Sequence, residues 1–520
     1  MKYFLLCIMM LALTACKKDK HADNKTAVLP PLNIPADSVK LNPYGFAPLS
    51  ALLTYNSPTP GHTRIVVKGQ GGSADIIQEF SDGGMSHTIP ILGLYPSYNN
   101  QVEVYLLNDK AKEVAMTTMH IQTGDLPAGM PIYLNVDNAD YANMEPGLNL
   151  VSNFSASNPY IPYIVDGYGK IRWYLDFANF PVLNKLTYDC GVSRLKNGNF
   201  YFADVTSGQI YEVDVLGKII HTWSFPGYDF HHDVTEMPNG NFLMTANKHG
   251  STNSQGTPTI EDYVLEIDRN TNKILTEWDL KQSLDAYRRT LSNDAQDWMH
   301  GNAVIYDPND QAIIVSGRVQ GVVKLTFDNR VKWILAPHKG WGLNGRNEDL
   351  NKFLLTPLDG SGNKITDTTL LAGYVNAEGF EWTWYQHSPV IMPNGNLLLF
   401  DNGSTRNYND SQGHYSRAVV FDIDPVNMTV KQVWDYGKDR GLETYSVVIS
   451  SVKYLPGKDH ILFGPGFMVS NTVGKGGKVV EIDYKTKKVV FQMSVSTASG
   501  WSFHRVQRLP LYANSDSYHP

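Results

Sequence analysis

Cysteine is nearly missing from this chain, with three in 520 residues. Cys7 and Cys16 lie at the very start and Cys190 stands alone, which excludes a disulfide-built scaffold. A surplus of positive charge is missing as well. Lys and Arg number 44 against 51 Asp and Glu, a net charge of −7. No basic block follows the N-terminus, so nucleic acid is not an expected partner. Long helical periodicity is also missing. The best helix candidate, residues 279–292, has Asp279 as a cap and Leu280, Leu284, Tyr287 and Leu291 on one face. The rest alternates short apolar runs with Gly, Pro and Asn turns, so the fold class is all-β.

The first sixteen residues read as a targeting segment rather than fold. Lys2 supplies a basic start, residues 3–13 an apolar core, and Leu13-Thr14-Ala15-Cys16 closes it in the manner of a bacterial lipobox. Cleavage before Cys16 and lipidation of its thiol are expected, which makes the chain a periplasmic or cell-surface lipoprotein attached to the membrane. Lone Cys190 then has no mate. Residues 17–34 read as a tether and 35–130 as a small N-terminal β-sandwich without a chemical cluster. Residues 131–520 form the main domain. A homodimer is allowed; the sequence does not specify one.

That main domain repeats. One repeated part is a hairpin ending in a large apolar residue: Trp173, Trp223, Trp278, Trp333 and Trp434 mark five copies, and Met493 stands near that place in a sixth. The other is a small or polar residue followed six positions later by a turn. Cys190 precedes Lys196-Asn197-Gly198, His232 precedes Pro238-Asn239-Gly240, and His387 precedes Pro393-Asn394-Gly395. Ser450 and His504 stand likewise before Pro456-Gly457 and Pro510, and His300 fits with a slightly longer interval before Pro308. Two hairpins per unit give a four-stranded sheet, and six units give a six-bladed β-propeller. The residues leading the innermost strands then ring the mouth of a central channel. Four of those six are histidine, which packing does not explain.

Asn302 lies two residues beyond His300 on the same strand face, and the returning strand brings Arg318 back toward His300. Imidazoles, an amide and a guanidinium suit a tetrahedral oxyanion. Of the adjacent pair His231-His232 only one residue can face the channel. The turn offset selects His232 and leaves His231 to packing. Two rival readings stay open on the residues alone. A metal-dependent hydrolase or lyase would use three imidazoles on zinc, although no HExxH spacing is present and an arginine would repel the cation. A non-catalytic binding propeller on a lipid anchor is the other. A quinone-cofactor dehydrogenase would leave the histidine ring unexplained.

The segments NPYGFAPLSALLTY, IPILGLYPSYNNQVEV, FHHDV, DWMHGNAV, IIVSGRVQGVVKLTFDNRVKWILAPHKGW and WYQHSPVIMPNGNLLLFDNG run in order over most of the chain. Through them it resembles the bacterial arylsulfate sulfotransferases that work without 3′-phosphoadenylyl sulfate. The resemblance implies an N-terminal β-sandwich before a six-bladed propeller, and no metal or cofactor. It implies ping-pong transfer of a sulfuryl group from a phenolic sulfate to a phenolic acceptor, through a sulfohistidine. The nucleophile falls on His387, the Gln-His after an aromatic run. His232, His300, Asn302 and Arg318 fall on the sulfate, and His504 joins Asn302 as a substrate-binding candidate. On this reading Arg318 keeps His387 neutral. Some members of the family hold a disulfide that an oxidising partner forms; with Cys190 unpaired, that step is not expected here.

Overall fold

The computed structural model describes residues 29–153, 160–187, 191–411 and 413–513. The lipobox with Cys16, and Cys190 in its ring position, lie outside the described residues.

The first domain is a small β-sandwich whose five strands join into one hydrogen-bonded sheet. Its two long strands, Ala51–Val67 and Ile76–Ile91, pair along their length, with register breaks between Asn56 and Thr63. Alternate residues such as Leu53, Tyr55, Ile65 and Val67 are buried. A polar cluster pins the break. His87 bonds Asp82 Oδ2 (2.5 Å) and Ser57 Oγ (2.9 Å), and stacks on Tyr55. In outline this is a serine–histidine–aspartate chain. The Ser57 hydroxyl, however, donates to the Thr59 carbonyl (2.6 Å) on a residue 3% exposed, so the cluster is a staple rather than a nucleophile. Pro31 bridges to Met116, and Leu32 is buried in this domain, so the packed chain begins inside the stretch expected to be tether.

The main domain is a propeller. Among the described residues it contains six sheets with a four-stranded core. One sheet has its inner hairpin at Tyr228–Glu236 and Phe242–Lys248 and its outer hairpin at Tyr263–Asp268 and Lys273–Asp279. The others repeat the plan. The last is composite: the C-terminal strand Phe503–Leu509 pairs with Leu148–Asn153, which leads to Tyr163–Val165 and Ile171–Tyr174. Strands from the two ends of the domain thus share one sheet. That sheet meets the next through Gln507, which bonds Ser193 Oγ and the Val192 carbonyl. No sheet is stable with bare faces, so each buries its apolar faces on its neighbours.

The repeated tryptophans tie these sheets together. Trp173 Nε1 donates to Val215 O (2.8 Å), Trp223 to Arg269 O (2.8 Å), Trp278 to Thr326 O (2.9 Å) and Trp434 to Tyr484 O (2.8 Å). In each case the fourth strand of a sheet's core reaches the turn of the next sheet. The indole supplies apolar area and one donor, which is what an edge between sheets requires.

The helix expected over residues 279–292 is a single turn, Leu280–Ser283. Asp279 does cap it, but Ser283 Oγ donates to Asn329 O (2.7 Å) and pulls the chain away. Tyr287, expected on the buried face, is 41% exposed.

Candidate active site

The inner strands enter the channel through a recurring distortion. His232 (φ 60°), His300 (φ 50°), Ser388 (φ 54°) and Ser450 (φ 83°) all have left-handed backbone. Register breaks accompany them at Phe230/Val234, Gly301/Ala303 and His387/Val390. Each left-handed residue other than glycine costs about 1–2 kcal/mol. The bulge turns a side chain out of the pleat and into the channel mouth. His387 lies one residue before its left-handed neighbour, whereas His232 and His300 are themselves left-handed. Equal spacing to the turn therefore does not give equal backbone states.

Four histidines meet at this mouth. Ring centroids are 5.0 Å apart for His232 and His300, 5.7 Å for His232 and His504, and 6.0 Å for His387 and His504. Arg318 N donates to His300 O (2.9 Å), and its guanidinium Nη1 lies 3.1 Å from His300 Nε2. His232 Nε2 is 3.2 Å from the same His300 nitrogen. Three nitrogen groups from two sheets thus converge on one point. Tyr385 lies against the guanidinium, with its ring 5.1 Å from the Arg318 carbon.

Asn302 is 1% exposed and donates to the Gln386 carbonyl (2.9 Å), so it holds the segment that delivers His387. His231 is more than packing. It is buried, and its Nδ1 lies 3.8 Å from Glu261 Oε2.

Two carboxylates that sequence reasoning did not single out complete the site. His300 Nδ1 faces Asp297 Oδ2 (2.6 Å) and Glu261 Oε2 (3.0 Å). Asp297 opens the DWMHGNAV run, three residues before His300. Glu261 comes from residues 249–262, the loop that joins the strands Phe242–Lys248 and Tyr263–Asp268 of another sheet, and no signal in the sequence connects it to His300. Burial opposes charge on His300, but the bonds from Asp297 and Glu261 win and push its pKa up to about 9. Glu261 moves the other way. Burial favours its neutral form, yet His231, His300 and His232 hold its carboxyl well below the usual range.

His387 behaves in the opposite sense. It is 3% exposed, and burial drives its pKa well below 6.5. His504 is the next cause, and Arg318, expected to be the main one, is among the smaller. Neighbouring strands carry a supporting network. Asp401 accepts from Arg417 Nε (2.8 Å), Arg406 Nη1 (3.0 Å) and Trp384 N (2.8 Å), all buried. This fixes the turn before His387.

Two groups have metal-ligating donors within reach of one another: His231, His232 and Glu261, and Glu261, Asp297 and His300. The spacing in sequence did not foretell them. In the second group His300 Nδ1 bonds the Asp297 carboxylate at 2.6 Å, the geometry of a proton-sharing pair, whereas in the first His231 Nδ1 stands 3.8 Å from Glu261 Oε2.

The arrangement can hold an anion, supply a neutral imidazole and supply a protonated one. The profile described as "Arylsulfotransferase (ASST)" matches residues 134–504, and that described as "Arylsulfotransferase Ig-like domain" matches residues 38–124. The chain is 29% identical to arylsulfate sulfotransferase AssT of Lelliottia amnigena, over 88% of this chain and 90% of the relative. The same protein of Escherichia coli O6:H1 is also 29% identical, over 88% and 90%. A solved streptogramin B lyase overlaps with a TM-score of 0.31 at 12% identity, covering 71% of this chain and 100% of that one, a likeness too slight to bear on chemistry.

Proposed function

Because this chain belongs to the arylsulfotransferase family, we propose that it moves a sulfuryl group from a phenolic sulfate to a phenolic acceptor by ping-pong through a sulfurylated His387. The observation that carries this reading is the geometry of one mouth, where His387 is buried 6.0 Å from His504 and His300 packs against the carboxylates of Asp297 and Glu261. Burial lowers the pKa of His387 and so favours its neutral form, while Asp297 and Glu261 raise that of His300 and favour its protonated form.

A neutral imidazole has a lone pair to give. In the first half-reaction a His387 nitrogen attacks sulfur, the N–S bond forms and the S–O bond to the aryl group breaks. The electron pair leaves on the phenolic oxygen, which takes the proton of His300. In the second half, neutral His300 takes the proton of the incoming phenol. The acceptor oxygen forms its S–O bond, the N–S bond breaks, and His387 recovers its pair. Arg318 and His232 hold the sulfuryl oxygens as charge spreads over them in a loose transition state. A phenol suits the leaving position because its oxygen bears charge readily, with a pKa of about 10 as in tyrosine.

The test is a single turnover. With an aryl sulfate and no acceptor, the enzyme should release one equivalent of phenol per site in a burst, and its mass should rise by one sulfuryl group on the peptide containing Gln386-His387-Ser388. Added phenol should remove it, and His387→Ala should abolish both. Steady release of phenol without any label would make the protein a hydrolase instead.

We also propose attachment through lipid on Cys16, on the strength of Leu13-Thr14-Ala15-Cys16. Among the described residues no helix is long and apolar enough to cross a membrane. Lipid labelling that persists in Cys16→Ser would refute the anchor.

A further inference from the structure

Which nitrogen of His387 attacks is decided behind the ring of histidines. His387 Nδ1 lies 2.7 Å from Asn402 Oδ1 and 2.9 Å from the Tyr385 carbonyl. The Asn402 amide has one orientation open to it. Its Nδ2 donates to the carbonyls of Ser446 (2.8 Å) and Ile449 (3.0 Å), and a flipped amide would set its oxygen against both. Asn402 is fully buried, and Ser416 Oγ donates to its own carbonyl (2.8 Å), so the residue is walled in. A ring nitrogen facing two acceptors carries the hydrogen, and in a neutral imidazole the other nitrogen then holds the lone pair.

Resting on the reading of His387 as nucleophile, we propose that Asn402 is a positioning residue that fixes His387 as its Nδ1–H tautomer and presents Nε2 to sulfur. The Nε2 pair forms the N–S bond, the S–O bond breaks, and the aryl oxygen leaves with its pair. Nδ1 keeps its hydrogen throughout. The sulfurylated ring is then cationic, and its Nδ1–H donates a charge-assisted bond to Asn402. No proton has to leave the ring, and a cationic ring departs readily when the acceptor attacks. An amide suits this place better than a carboxylate. It orients the ring without holding a proton on the resting nucleophile.

Three measurements test this. The first uses wild-type protein labelled with 15N at histidine, with His387 assigned by comparison with His387→Gln. Near neutral pH its Nδ1 should give a pyrrole-type resonance and its Nε2 a pyridine-type one; the reverse tautomer overturns the proposal. The second is the phenol burst in Asn402→Leu. Its rate should fall about 10- to 100-fold, the range seen for partners that orient a metal-ligating imidazole, with donor affinity nearly unchanged. Its acid limb should move to lower pH, because the ring loses an acceptor that favours its cation. The third is Asn402→Asp, where an acceptor remains. The burst should be retained and the acid limb should move to higher pH. A purely structural role would move neither limb, and unmoved limbs in folded variants refute the assignment. If Asn402→Asp fails to fold against the Ser446 and Ile449 carbonyls, the wild-type resonances and Asn402→Leu decide. Failure of the nucleophile reading shows separately, as a wild-type label on a residue other than His387.

Discussion

Replacing the two carboxylates behind His300 should convert a general acid into a spectator. The perturbation is Asp297→Asn with Glu261→Gln, which keeps shape and removes charge. In the native site His300 titrates near 9. Without its partners, burial and Arg318 remain and both push downward, so the ring should titrate at or below the ordinary value of about 6.5. The change is about two and a half units, or about 3 kcal/mol at about 1.4 kcal/mol per unit. The sign follows from which form works. The protonated ring donates to the leaving phenolate, so activity is present below the His300 pKa and is lost as pH rises through it. Native enzyme should keep its alkaline limb near 9, while the double variant should lose activity from about 6.5 upward. Near pH 7.5 the protonated fraction falls from nearly complete to about one tenth, so phenol release should slow about tenfold. The assay is the burst of phenol across pH without acceptor, which isolates the first half-reaction. The loss should be large with a donor of an unactivated phenol and small with one carrying a nitro group, whose oxygen needs little help to leave. An alkaline limb that stays in place, or equal losses for both donors, would refute the acid role of His300.

Arg318→Ala should weaken both donor binding and the burst rate while leaving the label on His387, which peptide mapping checks. Arg417→Met should cost less than the about 3–5 kcal/mol of a fully stranded buried charge, because Asp401 loses one guanidinium partner and keeps Arg406; denaturant unfolding measures it. Trp278→Ala should cost about 3–5 kcal/mol in the same experiment, from the lost indole and its bond to Thr326. Turnover should be insensitive to a chelator. A loss of activity restored by one specific ion would overturn that expectation and turn the two donor groups around Glu261 into a metal site. Cys190→Ser should leave turnover nearly unchanged.

The sequence by itself determined the class of architecture, because period and punctuation are local. The regular tryptophans, the Pro-Asn-Gly turns and the missing helical period each need only neighbours along the chain to be read. The histidines were legible for the same reason: they stand at a fixed distance from a turn, and a turn fixes where a strand begins. Asn302 and Arg318 could be placed beside His300 because one hairpin carries all three. What lay outside local reach was decided by the tertiary structure. Glu261 meets His300 only because one sheet's loop folds over the next sheet's inner strand. Asn402 stands in the WYQHSPVIMPNGNLLLFDNG run, but its task depends on carbonyls of Ser446 and Ile449 in the loop that leads into the following sheet. The helix over 279–292 stopped after one turn for a similar reason, a hydroxyl drawn to Asn329. The protonation states come last in this order. Residue type makes a histidine able to be base or acid, but burial and the carboxylates packed against it choose between them, and those exist only once the sheets have closed around the channel.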